Sequence, residues 1–552
     1  MNENYVKHLK DIAFFFNLQK DMWRAKAFNN AANSIEYETL IFENGKLVNA
    51  ISGVGDAIKK TLEEFHITGT SSKFKTLQKD SPPIEIRELE KIPQIGAQTT
   101  KRLWEIHKIS SLKDFESKIP DLQNTEFAKF IPLYLQIKNS LEKLPRNIIK
   151  QHIDALFKNI DIDFSYAGSM RRGKELLHDV DVIVCLKGNN EKQLLRDRFA
   201  ELGLTCDVRE GDAKWGITVP IGDKSITLDL NFCFPRELGA YKNYLTGCKE
   251  NNVILRAKAK HMGYLVNQKG IFDVDKQIDD STEEFLYTLL GIPFIPAPCR
   301  EVGAIGKDFS NLVKYEDIIA DFHTHSTESD GNCEITEVVA TAKKLNFKYI
   351  GISDHSPGSG NGQHENKKLD AISSFKKCKF EITTLYGAEI DIKTNEELDY
   401  SKEVIDKLDY FIVAAHHGQN NLTDRYIHAM EQYPDKPKII AHPTNRKLGV
   451  KPAGEIEWGR LFEACKKYNT VLEINCQPDR LDLDSESIKA AQNAGVILTI
   501  SSDTHSNDIK ELFENGILNA QRGWLMKDAC LNANEKLIEK WLQGSLYENR
   551  ES

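Results

Sequence analysis

The chain runs to 552 residues, of which 40% are hydrophobic and 28% charged, a length beyond one hydrophobic core and a composition ordinary for a globular protein. No apolar run approaches the roughly 20 residues that span a bilayer, and the opening MNENYVKHLKDIAFFFNLQK lacks a small-residue cleavage site, so neither a membrane protein nor a secreted one is expected and the cytoplasm is the default compartment. The net charge of −9 sits poorly with a nucleic-acid partner, but residues 1–318 sum to zero and residues 319–552 carry the whole excess, as an acidic domain that holds divalent cations would. Ten cysteines without a CxxC pair indicate neither a disulfide framework nor a thiolate zinc site.

Residues 1 to about 145 read as helices, because apolar positions recur at three and four: Tyr5, Leu9, Ile12 and Ala13, then Phe28, Ala31, Ala32 and Ile35. Two glycine turns interrupt them. Gly53-Val54-Gly55 in AISGVGDAIKKTLEEF and Ile95-Gly96 in EKIPQIGAQTTKRLWEI each sit between two helices, where glycine lets the backbone approach a phosphate and the next helix offers its positive dipole end. Either turn alone reads equally as a plain αα-turn. The second has Gln94 where a Gly-x-Gly pattern would have its first glycine.

From about 150 to 235 the pattern is mixed, with FSYAG, VDVIVCL, WGITVPI and ITLDLNFCF as four strands of a small sheet. Alternation turns Asp179 and Asp181 to one face of a strand, and Asp229 on another strand completes a carboxylate trio able to share divalent cations. Cations held there would lower the pKa of a 3′-hydroxyl and neutralise departing pyrophosphate. An isolated DxD reads more readily as a solvated acidic edge. Gly168-Ser169 upstream changes that reading, because the pair can cradle a triphosphate while Arg171 and Arg172 add charge. A helical stretch to about 290 then leads into IPFIPAPCREVG, where prolines mark an extended connection.

Beyond it, DIIADFHTH, KYIGISDH, TLYGAEIDI, YFIVAAHH, KIIAHP, TVLEIN and VILTISSDTH alternate with helical patterns, which argues for parallel strands closed into a seven-fold barrel. Each of these segments carries His, Asp or Glu within its last three residues, at the rim where barrels of parallel strands carry their chemistry. His323 and His325 lie two apart, Asp330 follows in a loop, and His355, Glu389, His416, His442, Asp503 and His505 complete the set. A single histidine of this kind is more often structural than a ligand; nine such groups at strand ends predict a metal site for zinc or manganese. Arg446, four residues after His442, is a candidate phosphate anchor, with a plain surface arginine as the alternative.

GSMRRGKE followed by DVDV resembles the nucleotidyltransferase signature of X-family DNA polymerases, and the two glycine turns resemble their paired helix-hairpin-helix motifs. GAYKNYLTGCKENNVILRAKAKHMG is similar to the segment that receives the incoming nucleotide in that family. The barrel order HxH, D, H, E, H, H, DxH resembles the nine-ligand pattern of the PHP (polymerase and histidinol phosphatase) family. These resemblances imply a multidomain chain. Its parts are a helical DNA-end-binding domain (1–85) and fingers (86–150), each with one helix-hairpin-helix, an α+β polymerase-beta-like nucleotidyltransferase palm (151–235), a thumb (236–295), a linker (296–318) and a distorted (β/α)7 PHP barrel (319–552). They imply nucleotide contacts at Gly168, Ser169, Arg171, Arg172, Thr246, Gly247, Asn252 and Arg256, and DNA contacts at Gly53, Gly55, Lys59, Lys60, Ile95 and Gly96. The sequence departs from the family pattern at His178, where a glycine usually precedes the first aspartate, at Leu245, where an aromatic residue is common, and at Thr61, which takes the place of the lyase lysine.

The function implied is gap-filling DNA synthesis in repair, with 3′ to 5′ exonuclease activity in the barrel. Mg²⁺ or Mn²⁺ is expected in the palm and up to three Mn²⁺ or Zn²⁺ ions in the barrel. The expected partners are gapped or nicked DNA with a 5′-phosphate and deoxynucleoside triphosphates, taken by a monomer without a membrane. The rival reading, to which His178 points, is a PHP nuclease or phosphatase whose palm only binds DNA. A scaffold that bridges DNA ends leaves the acidic trio and the nine ligands without a role. A small-molecule phosphatase leaves the first 318 residues without one.

Overall fold

The structure is a computed structural model and describes residues 2–547 except 36–39, 52, 80, 93–94, 142, 189, 205–212, 223, 279–281 and 394. Gln94 therefore lies outside the described residues. The chain forms two compact units, residues 1–142 with 222–225, and residues 143–221 with 226–552.

The first unit is helical. Its helices Glu3–Leu18 and Met22–Ile35 pack along the stripes of three- and four-spaced apolar residues: Leu9, Ile12, Ala13, Phe28, Ala31, Ala32 and Ile35 are all buried, and Tyr5 lies half-buried at the edge. Helices Asp56–Thr68, Ser72–Lys79 and Ala97–His107 close the same core through Ile58, Leu62, Leu77 and Leu103. Gly53, at φ +80°, turns the chain, and Gly55 and Gly96 stand as N-caps of the helices that follow them.

The second unit begins at Lys143. Helix Arg146–Phe157, which straddles the border expected between fingers and palm at residue 150, buries Ile149, Ile153, Leu156 and Phe157 against the palm sheet. That sheet has the strand order Asp163–Tyr166, Asp179–Cys185, Lys224–Cys233, Lys214–Ile221. The Asp179–Cys185 strand runs antiparallel to the first and parallel to Lys224–Cys233, with Asp181 opposite Asp229.

In the barrel, strands Ala320–Asp321, Tyr349–Ile352 and Thr383–Tyr386 pair in parallel, as do Glu389–Asp391, Phe411–Ala414, Lys438–Ile440, Thr470–Asn475 and Leu498–Ser501. The segment TLYGAEIDI, read from sequence as one strand, supplies two, broken at Gly387 and Ala388. A Cβ on Gly387 would lie 2.7 Å from the Tyr410 ring, so glycine lets that ring press against the break. A parallel bridge between Thr324 and Thr504 joins the first strand's end to the last, and the bridge from His355 to Glu389 spans the break. The result is the distorted (β/α)7 barrel. Among the described residues no helix is long and apolar enough to cross a membrane.

Candidate functional site

The barrel strands end at one rim, and the chemistry gathers there. His323 and His325 follow the first strand, His355 the second, His416 and His442 the strands Phe411–Ala414 and Lys438–Ile440, and Asp503 and His505 the last. Glu389 sits at their centre. Its Oε2 lies 3.3 Å from His323 Nε2, 3.6 Å from His325 Nε2 and 2.9 Å from His355 Nδ1, and its Oε1 lies 3.4 Å from His416 Nε2 and 3.2 Å from His442 Nε2. Asp503 Oδ1 stands 3.2 Å from His325 Nε2, while Asp330 Oδ1 faces His355 Nε2 at 3.6 Å and His505 Nε2 at 3.3 Å. All nine residues singled out from sequence converge.

Whether this set fits cations is tested by its unmet bonds. The buried nitrogens His323 Nε2, His325 Nδ1, His355 Nδ1 and His442 Nδ1 have no hydrogen-bond partner, although a buried polar group without one is costly. His355 Nδ1 approaches a carboxylate oxygen to 2.9 Å without hydrogen-bonding geometry, as two donors aimed at one ion would. Three groups have ligand atoms within 4.8 Å of one another: His325, Asp330, His355 and His505; His323, His325 and Glu389; His355, Glu389 and His416. Imidazole and carboxylate without thiolate suit zinc or manganese.

The electrostatics agree. Burial alone would raise the Glu389 carboxyl, but His355, His323 and His416 outweigh it and hold it well below the usual range. Burial pulls the His355 imidazole down, and Glu389 and Asp330 more than reverse this, bringing it up to about 9. His325, fully buried among like imidazoles, is pushed down to about 4.

Two carboxylates that sequence reasoning missed hold these ligands in place. Glu473 Oε1 lies 2.6 Å from His323 Nδ1, and its Oε2 accepts the His442 backbone N–H at 2.6 Å and Asn475 Nδ2 at 3.1 Å. Asp391 Oδ1 lies 2.9 Å from His416 Nδ1. Both are buried within strands. An acidic residue amid an apolar run, as in TVLEIN and AEIDI, is the signal that would have found them, because burial demands a partner.

Arg446 does not face this centre as an open anchor. It is buried, with Nη2 2.8 Å from Glu175 of the GSMRRGKE segment, Nε donating to Arg480 O at 2.9 Å and Nη2 donating to Leu481 O. It is one of several links between palm and barrel. Arg146 Nη2 donates to Asn515 Oδ1 at 2.6 Å, and a Cβ on Gly173 would fall 2.5 Å from Leu518.

In the palm, the parallel register sets Asp181 beside Asp229. Burial first, then the charges of Asp179 and Asp229, push the Asp181 carboxyl up to about 6, the response of acids crowded together without a cation. Lys214 Nζ sits 2.8 Å from Asp229 Oδ2, while Asp229 Oδ1 is buried without a hydrogen bond. Gly168, at φ +57°, passes so close that a Cβ would lie 2.2 Å from Asp181 Oδ2. His178 lies exposed, 3.7 Å from Asp179 Oδ1.

Arg171 and Arg172 are already paired. Arg171 Nη1 donates to Glu283 Oε1 at 2.8 Å and to Thr246 Oγ1 at 2.9 Å, and Arg172 Nε donates to Glu301 Oε1 at 3.2 Å while its Nη1 donates to Thr246 O. Asn252 Nδ2 donates to Tyr244 O at 2.7 Å; with the exposed Arg256 it borders a cleft shared with Tyr244 and Asn267. Gly247, at φ +77°, ends helix Leu238–Thr246. In the first unit Lys60 is exposed and Lys59 half-buried. Ile95 is buried with its amide donating to Ile92 O, so of the two expected contacts in the second hairpin, Ile95 and Gly96, only Gly96 is exposed. Thr61 is buried, its hydroxyl donating to Ala57 O.

Comparison with known proteins gives three family matches: a helix-hairpin-helix domain at residues 1–71, a DNA polymerase beta thumb at 243–301 and a PHP domain at 321–477. Over nearly its whole length the chain is similar to the DNA polymerase/3′-5′ exonuclease PolX of Bacillus subtilis (strain 168), with 28% identity over 577 residues that cover 98% of this chain and 99% of the relative.

Proposed function

The chain belongs to the X family of DNA polymerases, in the bacterial branch that ends in a PHP domain, and from that premise we propose that it fills gaps in duplex DNA and trims 3′ ends that the palm cannot extend. It is a metal-dependent, DNA-binding polymerase and 3′ to 5′ exonuclease. Our reading adds the substrate, a gapped or nicked duplex with a 5′-phosphate and deoxynucleoside triphosphates, and a monomer working in the cytoplasm.

The observation that carries the polymerase reading is the parallel register that pairs Asp181 with Asp229. We assign Asp179, Asp181 and Asp229 to Mg²⁺ or Mn²⁺, and the nine rim groups to up to three Mn²⁺ or Zn²⁺ ions. Cations so held lower the pKa of a 3′-hydroxyl or a water and neutralise charge on the leaving oxygen. The residues do the rest. Asp229 Oδ1, buried and without a bond, accepts the 3′-hydroxyl proton. Gly168 and Ser169 cradle the triphosphate, and Thr246 and Gly247 flank the sugar. Asn252 and Arg256 reach the nascent base pair. Gly53, Gly55 and Gly96 offer amides, and Lys59 and Lys60 charge, to the phosphates of the DNA end. The pairing of Arg171 and Arg172 with Glu283 and Glu301 supports a role in holding the cradle against the thumb.

Primer extension and primer degradation on gapped DNA test the division of labour. Asp181→Ala is expected to abolish extension and keep degradation, and His325→Ala the reverse. Unchanged extension in Asp181→Ala refutes the palm assignment.

A further inference from the structure

Arg480 stands apart from the other charged groups around the barrel centre. Arg446 is consumed by Glu175 and backbone carbonyls, Arg425 donates to Gly418 O and Ile392 O, and Arg460 pairs with Asp424 and Glu457. Among the described residues Arg480 has no ion pair; its one side-chain hydrogen bond, Nη1 to Asn445 Oδ1, is stretched to 3.5 Å. A half-buried guanidinium without a carboxylate is an incomplete arrangement, since four of its five donors are left to solvent or to a ligand.

Its position is built. The turn that carries it is closed by Arg480 N and Leu481 N, both donating to Gln477 O at 2.9 Å, and Gln477 Nε2 donates to the backbone oxygen of Asp503 at 2.6 Å. On the other side Arg446 grips Arg480 O, and Asn445, whose N–H donates to His442 O at 2.7 Å, links the guanidinium to the strand end that carries His442. A second loop brings more positive charge. Lys447 and Lys451 exchange backbone hydrogen bonds at 2.9 and 2.8 Å, and Leu448 N donates to Asp479 O at 2.6 Å, tying that loop to the Arg480 turn. Asp479, 3.3 Å from Lys447 Nζ, is the counterion of this group; among the described residues Lys451 and Arg480 have no carboxylate partner, and burial followed by the charges of Arg480 and Lys447 lowers the Lys451 ammonium.

We propose that Arg480, with Lys451 beside it, binds the phosphodiester backbone of the strand whose 3′ end enters the barrel centre. The assignment rests on the exonuclease reading above and replaces Arg446 as the phosphate anchor. Arg446 becomes the positioning residue that holds the Arg480 turn. The planar fork of a guanidinium takes two phosphate oxygens at once, whereas the lysine supplies a point charge.

Two measurements on the full chain test this. In steady-state degradation of a single-stranded oligonucleotide with Mn²⁺, Arg480→Gln raises KM about tenfold or more with kcat changed less than about threefold, and Lys451→Gln does so more weakly. Metal content and gap filling stay as in the parent protein. Separately, phenylglyoxal labels Arg480, read by peptide mass spectrometry, and inorganic phosphate slows that labelling. An unchanged KM in Arg480→Gln, or labelling indifferent to phosphate, overturns the proposal. Absence of degradation by the parent protein, with phosphate protection intact, sinks the exonuclease reading and leaves the anion site standing.

Discussion

Gly168 shows how much one missing methyl group can decide. Its backbone is left-handed and its α-carbon abuts Asp181, so a Cβ would fall 2.2 Å from the carboxylate oxygen, and a side chain there is also strained by φ +57°. Gly168→Ala is therefore expected to displace Asp181 and lower kcat for nucleotide addition by about a hundredfold or more, the scale set by small misplacements of reacting groups, with oligonucleotide degradation in the barrel unaffected. Extension at the parent rate would mean that Asp181 is not held where the geometry puts it. The same scale explains what was legible beforehand. The nine rim ligands announced themselves because His, Asp and Glu recur at or near the ends of successive apolar segments, and Asp179 and Asp181 because alternation gives two residues one face. Glu473 and Asp391 did not, because a carboxylate inside a strand reads as part of an apolar run until its imidazole partner is known. Arg446 misled because its partner Glu175 lies 271 residues away, a distance no local pattern spans.

Among the elements, the N-terminal helices carry a titration that the fold itself imposes. His8, on helix Glu3–Leu18, is buried against Phe65 and Phe74 with its Nε2 2.8 Å from Ser71 Oγ, and burial pushes it down to about 4. The unfolded chain takes up a proton near the ordinary value of 6.5 and the folded helices refuse it until about pH 4. His8 thus stabilises the unit fully above that upper value and loses this contribution as pH falls through the window. Asp11 and Glu90, raised by burial, act in the opposite sense over the acid range. Urea unfolding of residues 1–142, which close their own core, is expected to weaken from pH 6.5 towards 4, and His8→Gln to flatten that slope. Equal slopes in the two proteins would rule out His8 as the source. Helix stripes were readable because a period of 3.6 marks them, and barrel strands because short apolar runs alternate with those stripes. The split of TLYGAEIDI was not, since two consecutive strands of a distorted barrel share one apolar run.

For the whole molecule, the decisive feature is that the palm and the barrel form one compact unit in which the GSMRRGKE segment touches both sites. Arg171 and Arg172 face the thumb carboxylates, and Glu175, three residues on, reaches Arg446, which in turn holds the Arg480 turn. With side chains 14% and 10% exposed, Glu175 and Arg446 are nearly sealed, so removing one leaves the other charged without its partner. The cost of breaking such a pair is about 3–5 kcal/mol when buried, which exceeds what the intact pair contributes against apolar replacements. Glu175→Gln should accordingly lower the thermal midpoint of the unit and raise KM for both deoxynucleotide addition and oligonucleotide degradation, since both sites lean on the same contact. Arg446→Met alone should do likewise, and the double variant should recover part of the loss, with a coupling of about 1–3 kcal/mol in a double-mutant cycle. Additive losses, or a change confined to one activity, would show that the two centres share a chain without sharing a support.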